Sequence, residues 1–197
     1  MASNSFKNNL IIGVLGIAGS GKSTLSDVFQ EKGFNIISLD EIGHEILDEE
    51  KDLVTSFFGN DILTGNKIDR KKLGNLVFSS ESKLLLLNKI IHPKIKDRTI
   101  SSISRDKNYI IEGALIDQIG LFEYLTHSVW IDIKEDIAIN RLIKRGIKRQ
   151  KALNIIKAQQ FLYLDKEKCD YILDNNNGKD LFCEKIDLLY KKIVSSN

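Results

Sequence analysis

The chain has 197 residues, 42% hydrophobic and 28% charged, with 29 basic against 27 acidic side chains and a net charge of +2. That length is about 1.3 times a common domain size and buries roughly 70% of its unfolded surface, so one domain with an elaboration is expected and a disordered chain is excluded. Near-neutral charge gives no global pull toward nucleic acid or membrane, and two cysteines, Cys169 and Cys183, make neither a disulfide framework nor a cysteine-only metal site. Reduced thiols in a cytoplasmic protein are the expectation.

The first apolar run, Leu10 to Ala18 behind Lys7, imitates a short signal peptide. It falls short of the roughly 20 apolar residues that span a bilayer, and the motif that follows needs it in place. Beyond it, short apolar runs alternate with helical stretches, the pattern of an α/β fold with parallel strands and crossover helices. In chain order, strands are predicted at Leu10–Leu15, Asn35–Leu39, Tyr109–Glu112, Ser128–Asp132 and Asp170–Leu173. Helices are predicted over 22–32, 135–145, 150–166 and 178–194. The stretch 41–106 has helical periodicity with no convincing strand, and reads as a helical insertion between two strands of one sheet. Pro93, the single proline, predicts a helix boundary at His92. Asn175-Asn176-Asn177-Gly178 reads as a strand-to-helix turn.

The strongest signal is Gly16-Ile17-Ala18-Gly19-Ser20-Gly21-Lys22-Ser23-Thr24, which satisfies G-x-x-x-x-G-K-[ST] after an apolar strand and before an amphipathic helix. Glycines let the backbone curl so that its N–H groups, among them those of Gly16, Ala18, Gly19, Ser20 and Gly21, form an anion nest. The helix dipole adds to it. Lys22 is expected to reach the β- and γ-phosphates of ATP, and the Ser23 hydroxyl to ligate Mg²⁺, with Thr24 beside it. The chain therefore binds a nucleoside triphosphate.

Three features bear on what it does with the nucleotide. Asn66-Lys67-Ile68-Asp69 fits a guanine-reading pattern, but it follows a turn rather than a late sheet strand and is read as chance. Arg141, Lys144, Arg145, Lys148, Arg149 and Lys151 form a basic run. It suits a phosphoryl-transfer lid, with Arg141 and Arg145 one turn apart, or a solvated helix, or a nucleic-acid face. Asp40, at the carboxyl end of the second strand, either accepts a proton from an acceptor hydroxyl or caps the next helix.

Taken in order, these residues resemble the dephospho-coenzyme A kinase family from about residue 11 to 190. The carrying segments are Gly33 to Asp40, Ile68-Asp69-Arg70-Lys71-Lys72-Leu73 with Val77-Phe78, His92-Pro93-Lys94-Ile95, Arg141 with Arg145, Ala158-Gln159, and Asp170 to Asn176. The resemblance implies a three-layer phosphate-loop kinase with a five-stranded parallel sheet. It implies a single domain over 1–197, with a helical acceptor-binding insertion at about 41–106 and a helical lid at about 138–165. The implied reaction moves the γ-phosphoryl group of ATP to the ribose 3′-hydroxyl of dephospho-coenzyme A. It makes Asp40 the general base, Lys22, Arg141 and Arg145 its catalytic companions, and places Asn175 near adenine. Arg70 and His92 fall in the substrate region, and His44, one turn after Asp40, is a substrate-contact candidate. The implied partner is a small molecule, with neither nucleic acid nor membrane, and a monomer is expected.

Four positions depart from the family pattern. Ser38 stands at the first aspartate of D-A-D, Ala114 and Gln118 at the proline and acid of P-L-L-x-E, and Ala138 at a glutamine before the lid arginines. Two other readings share the phosphate loop: a nucleoside or nucleotide kinase, and a nucleic-acid-stimulated ATPase or nucleotide-sensing module.

Overall fold

The computed structural model describes residues 9–195, so Lys7 of the signal-like run lies outside the described residues. In chain order the elements are β1 (Ile11–Leu15), α1 (Lys22–Glu31), β2 (Asn35–Ser38), α2 (Leu39–Glu49), α3 (Lys51–Phe58), β3 (Leu63–Thr64), β4 (Lys67–Ile68) and α4 (Arg70–Phe78). They continue with α5 (Glu81–Ser101), β5 (Tyr109–Glu112), β6 (His127–Asp132), α6 (Glu135–Lys144), α7 (Arg149–Ala158), α8 (Tyr163–Lys166), β7 (Tyr171–Asp174) and α9 (Lys179–Ser195). The chain divides into two compact units, one running to Ser38 and resuming at Ile103, the other spanning Leu39–Ser102.

In the first unit five strands pair in the order β2-β5-β1-β6-β7, every pair parallel. Every residue of β1 is buried, as a central strand covered on both faces must be. By alternation Ile12 and Val14 turn one way, into a core with Leu25 and Phe29 of α1 and Phe182, Ile186, Leu189 and Ile193 of α9. On the opposite face Gly13 leaves room for Leu125, whose side chain a Cβ there would strike. Because β1 lies between β5 and β6, its carboxyl end opens on the crevice where such sheets receive ligands.

The second unit packs α2 on α5 through Leu39, Ile42 and Ile46 against Ile91, Ile95 and Thr99. Arg98 reinforces this pairing by donating to Glu49 Oε2 at 2.8 Å. Here the structure corrects two expectations and bears out a third. A short antiparallel hairpin, β3 with β4, turns at Gly65 inside the stretch read as wholly helical. Asp69 caps α4, accepting the Lys71 and Lys72 N–H groups at 3.0 and 3.1 Å. That gives the guanine-like tetrapeptide an ordinary structural role. Pro93 ends no helix: α5 runs through it for 21 residues. Buried Ile91 and Ile95 on either side of the ring anchor the helix across the missing N–H rung.

Two smaller differences concern where predicted elements end. The second strand stops at Ser38, so Asp40 is the second residue of α2 rather than the last of β2. The helix predicted over 150–166 is broken by a 3₁₀ turn at Gln160–Leu162 into α7 and α8. No helix among the described residues is long and apolar enough to cross a membrane.

Candidate active site

Residues 16–21 connect β1 to α1 as a tight loop. Gly21, the residue before α1, has φ of 110°, and a side chain there would overlap the Asn175 carboxamide. Gly19, at φ 81°, lies so near α6 that a Cβ would come 2.9 Å from the Ala138 carbonyl oxygen. Both positions need glycine for conformation and for space. The loop curls on itself as Ser20 N–H donates to the Ile17 carbonyl at 3.1 Å. Lys22 Nζ reaches back over it, donating to the carbonyls of Gly16 at 2.7 Å and Ile17 at 3.2 Å. Ser23 is exposed and Thr24 half-buried in the first turn of α1, where helix N–H groups have no partner within the helix.

Side chains from two distant elements hold the loop in this shape. Arg141 of α6 donates through Nη1 to the carbonyls of Gly19 and Ser20, both at 3.3 Å. Through Nη2 it donates to the backbone oxygen and Oδ1 of Asn175, both at 3.1 Å. Asn175 is buried just beyond β7 and donates from Nδ2 to the Ser20 carbonyl at 2.5 Å. In a trans peptide the C=O and the next N–H point oppositely, so gripping the Ser20 carbonyl from outside turns the Gly21 N–H inward. Burial, and after it the positive charge of Arg145, hold the Arg141 pKa below its ordinary value. Arg145 itself, one turn on at the end of α6, is exposed. The two arginines therefore stand in different surroundings: Arg141 is built into the loop and Arg145 faces solvent. Ala138, where a glutamine was expected, is fully buried beneath Gly19.

In the second unit Asp40 and His44 are both exposed on α2, one turn apart. Asp48 follows one turn later and accepts Arg70 Nη2 at 3.2 Å. Asp40, His44 and Arg70 thus belong to one helix face and its immediate neighbour. His92 is half-buried on a different helix, α5, and outside that row.

Sequence reasoning passed over several polar side chains to which the fold of the first unit gives partners. Glu112 ends β5 in register with Val14 of β1 and Ser38 of β2, and its Oε2 accepts Ser26 Oγ at 2.7 Å. An acidic residue closing an apolar run beside the phosphate-loop strand was a readable signal. Asp165, buried on α8, accepts Gln118 Nε2 at 3.2 Å and Lys168 Nζ at 3.4 Å. Burial pushes its carboxyl pKa up, against the hydrogen bond from Gln118. Asp132 closes β6 and accepts Lys166 Nζ at 2.9 Å and Trp130 Nε1 at 3.3 Å. The Lys166–Asp132 and Gln118–Asp165 pairs join residues 34 and 47 positions apart, and no periodicity announces them.

A parallel sheet with the phosphate loop on its central strand, gripped by an arginine from a following helix, defines a phosphate-loop kinase. The family model described as dephospho-CoA kinase matches residues 10–180. The dephospho-CoA kinase of Oceanobacillus iheyensis is 38% identical over 181 residues, covering 86% of this chain and 90% of the relative. That of Fusobacterium nucleatum is 36% identical over 180 residues, covering 88% and 93%. The solved dephospho-CoA kinase of Campylobacter jejuni superposes with a TM-score of 0.72 at 26% identity, over 95% of this chain and 98% of that one. The chain belongs to the dephospho-CoA kinase family, ATP-dependent kinases whose reaction is the last step of coenzyme A biosynthesis.

Proposed function

We propose that the chain transfers the γ-phosphoryl group of ATP to the ribose 3′-hydroxyl of dephospho-coenzyme A, working as a cytoplasmic monomer. The observation that carries this reading is the Arg141 guanidinium. It joins the phosphate loop, the lid helix and the segment after β7 in one network, three of the motifs that carry the resemblance.

Lys22 and the loop amides other than those of Ala18 and Ser20, which Gln159 and Ile17 engage, bind the β- and γ-phosphates. Arg145, exposed at the end of α6, is the lid cation available to the transferring group. Asp40 accepts the proton of the attacking hydroxyl, and His44 and Arg70 on the same helix face orient the acceptor. Asn175 serves the nucleotide through the loop, since its amide NH₂ is directed at the Ser20 carbonyl. His92 is assigned to the acceptor unit.

The donor set suits Mg²⁺: an exposed Ser23 hydroxyl and the Glu112 carboxylate are hard oxygen groups, and Glu112 accepts from Ser26, one turn along α1 from Ser23. Ser23 is the proposed ligand, and Glu112 takes the place of the missing aspartate at Ser38 in holding the ion's water shell. When bound, Mg²⁺ neutralises charge on the phosphates. Positioning and charge supply the catalysis, with no covalent intermediate on the protein.

The test is ATP consumption by purified protein with Mg²⁺, offering dephospho-coenzyme A, nucleosides or single-stranded DNA separately and weighing the products. A phosphorylated product only with dephospho-coenzyme A supports the reading; DNA-stimulated turnover with no phosphorylated acceptor refutes it. In the same assay Asp40→Asn is expected to bind ATP normally and lose at least about a thousandfold in kcat. Near-normal turnover would remove the general-base role.

A further inference from the structure

Gln159 is the residue at which α7 ends, and its Oε1 accepts the Ala18 N–H at 2.7 Å. That N–H belongs to the phosphate loop, and the bond spans 141 positions of sequence. Three consecutive loop residues therefore meet the α6–α7 pair: Ala18 through its N–H, Gly19 and Ser20 through their carbonyls to Arg141. Between these contacts Gly19 leaves no space for a side chain against Ala138. The helices α6 and α7 pack on each other. Arg141 is thus one fastening of the pair to the loop, and Gln159 the other.

The chemistry of this second fastening is specific. A backbone N–H can meet only the oxygen of a carboxamide, so the bond fixes which way the Gln159 amide faces. Its NH₂ is turned off the Ala18 amide and makes no hydrogen bond among the described residues. Glutamine is also a neutral acceptor. A carboxylate of the same shape would hold the same N–H while adding negative charge beside the phosphates.

We propose that Gln159 is a positioning residue for phosphoryl transfer, seating the lid on the phosphate loop through the Ala18 amide. The proposal rests on the reading of loop and lid as a phosphoryl-transfer site. Gln159 acts on the reaction through the placement of the lid and of Arg145, at the end of α6.

The experiment uses the full chain with Gln159→Ala, Gln159→Glu and Gln160→Ala. The last changes the adjacent side chain, which instead donates to Glu135. Three quantities are read: affinity for a non-hydrolysable ATP analogue with Mg²⁺, kcat and KM with dephospho-coenzyme A, and Tm. Gln159→Ala is expected to lower kcat at least tenfold while analogue affinity changes less than threefold and Tm stays within a few degrees. Gln159→Glu is expected to weaken analogue binding at least tenfold at pH 8 and to recover toward wild type near pH 5. There the introduced carboxyl gains its proton and becomes a neutral stand-in for the amide. Gln160→Ala should match wild type in every readout.

Wild-type kcat in Gln159→Ala would overturn the proposal. So would tighter analogue binding, which would mean that the carboxamide competes with phosphate for Ala18. A loss of activity that merely tracks a loss of Tm would also overturn it, and Gln159→Asn, shorter by one methylene, repeats the comparison if the alanine variant fails to fold. Should the wild type transfer nothing to dephospho-coenzyme A while Gln159→Glu still weakens analogue binding with the same pH recovery, the acceptor assignment fails and the charge effect at the loop stands.

Discussion

Arg141 commits its guanidinium to four oxygens around Ser20 and Asn175, while Arg145, one turn further along α6, stands exposed. Their substitutions should therefore differ in kind. Arg145→Ala is expected to lower kcat by about 10–100-fold and leave Tm unchanged, the mark of an interaction made in the transition state. Arg141→Ala releases the Gly19 and Ser20 carbonyls, and should cost about 2–3 kcal/mol of stability and weaken ATP binding as well. Calorimetry beside steady-state kinetics separates the two; equal effects would show that the arginines act as a pair after all. The phosphate loop itself was legible because its chemistry is local, with every needed residue within nine positions. The outer grip on the loop was not. The sequence marks Arg141 as basic and one turn from Arg145, but says nothing of carbonyls more than 120 residues away. Cys169 shows the same limit: the half-buried thiol is pushed up to about 12 by burial, away from its thiolate form, which composition alone left open.

Elements are held to one another by similar long-range pairs. Gln118, in the segment after β5, donates to the buried Asp165 of α8, and Lys168 bridges Asp165 to Asp117 at 2.5 Å. This gives the departure at Gln118 a physical meaning: an amide can donate to a buried carboxylate where a glutamate would repel it. Gln118→Glu, which restores the acid of the family pattern, should destabilise the protein by about 1–3 kcal/mol at pH 8. The penalty should fade as the pH drops and one carboxyl of the pair is protonated. In the wild type Asp165 carries a raised pKa, so its contribution to stability is full below the unfolded carboxyl value and is lost as pH rises through the folded one. Denaturant melts at pH 4 to 8 check both statements, and a Gln118→Glu variant as stable as wild type at pH 8 would contradict them. Long periodic helices were legible at this scale. The interruption at Gln160–Leu162 and the hairpin at Gly65 were not, because a single turn or a pair of two-residue strands is shorter than any period that sequence can display. Pro93 misled for the opposite reason: a strong local rule yielded to the tertiary anchoring of Ile91 and Ile95.

Over the whole molecule, strand positions were readable from short apolar runs, whereas sheet order was not, since pairing partners leave no local trace. The chain leaves its first unit at Ser38 and returns at Ile103. Replacing 39–102 by a flexible linker of about 15 residues, long enough to recross the sheet, should leave a folded protein that binds an ATP analogue within about tenfold of wild type. It should transfer nothing to dephospho-coenzyme A, because Asp40, His44, Arg70 and His92 leave with the segment. Loss of analogue binding in a folded variant would show that the loop depends on residues 39–102. The central place of β1 also bears on how the protein is made. Its strand leaves the ribosome ahead of both neighbours: Leu10 meets Asn108 98 residues later and Ile11 meets Thr126 115 residues later. At translation speeds of about 5–20 residues per second, that apolar strand waits roughly 5–23 seconds for its neighbours. The second unit, contiguous from Leu39 to Ser102, is complete before β1 can pair. The strand that leads into the nucleotide site is thus made well before it can be paired, and nascent-chain chaperones have a long task at the segment that will hold ATP.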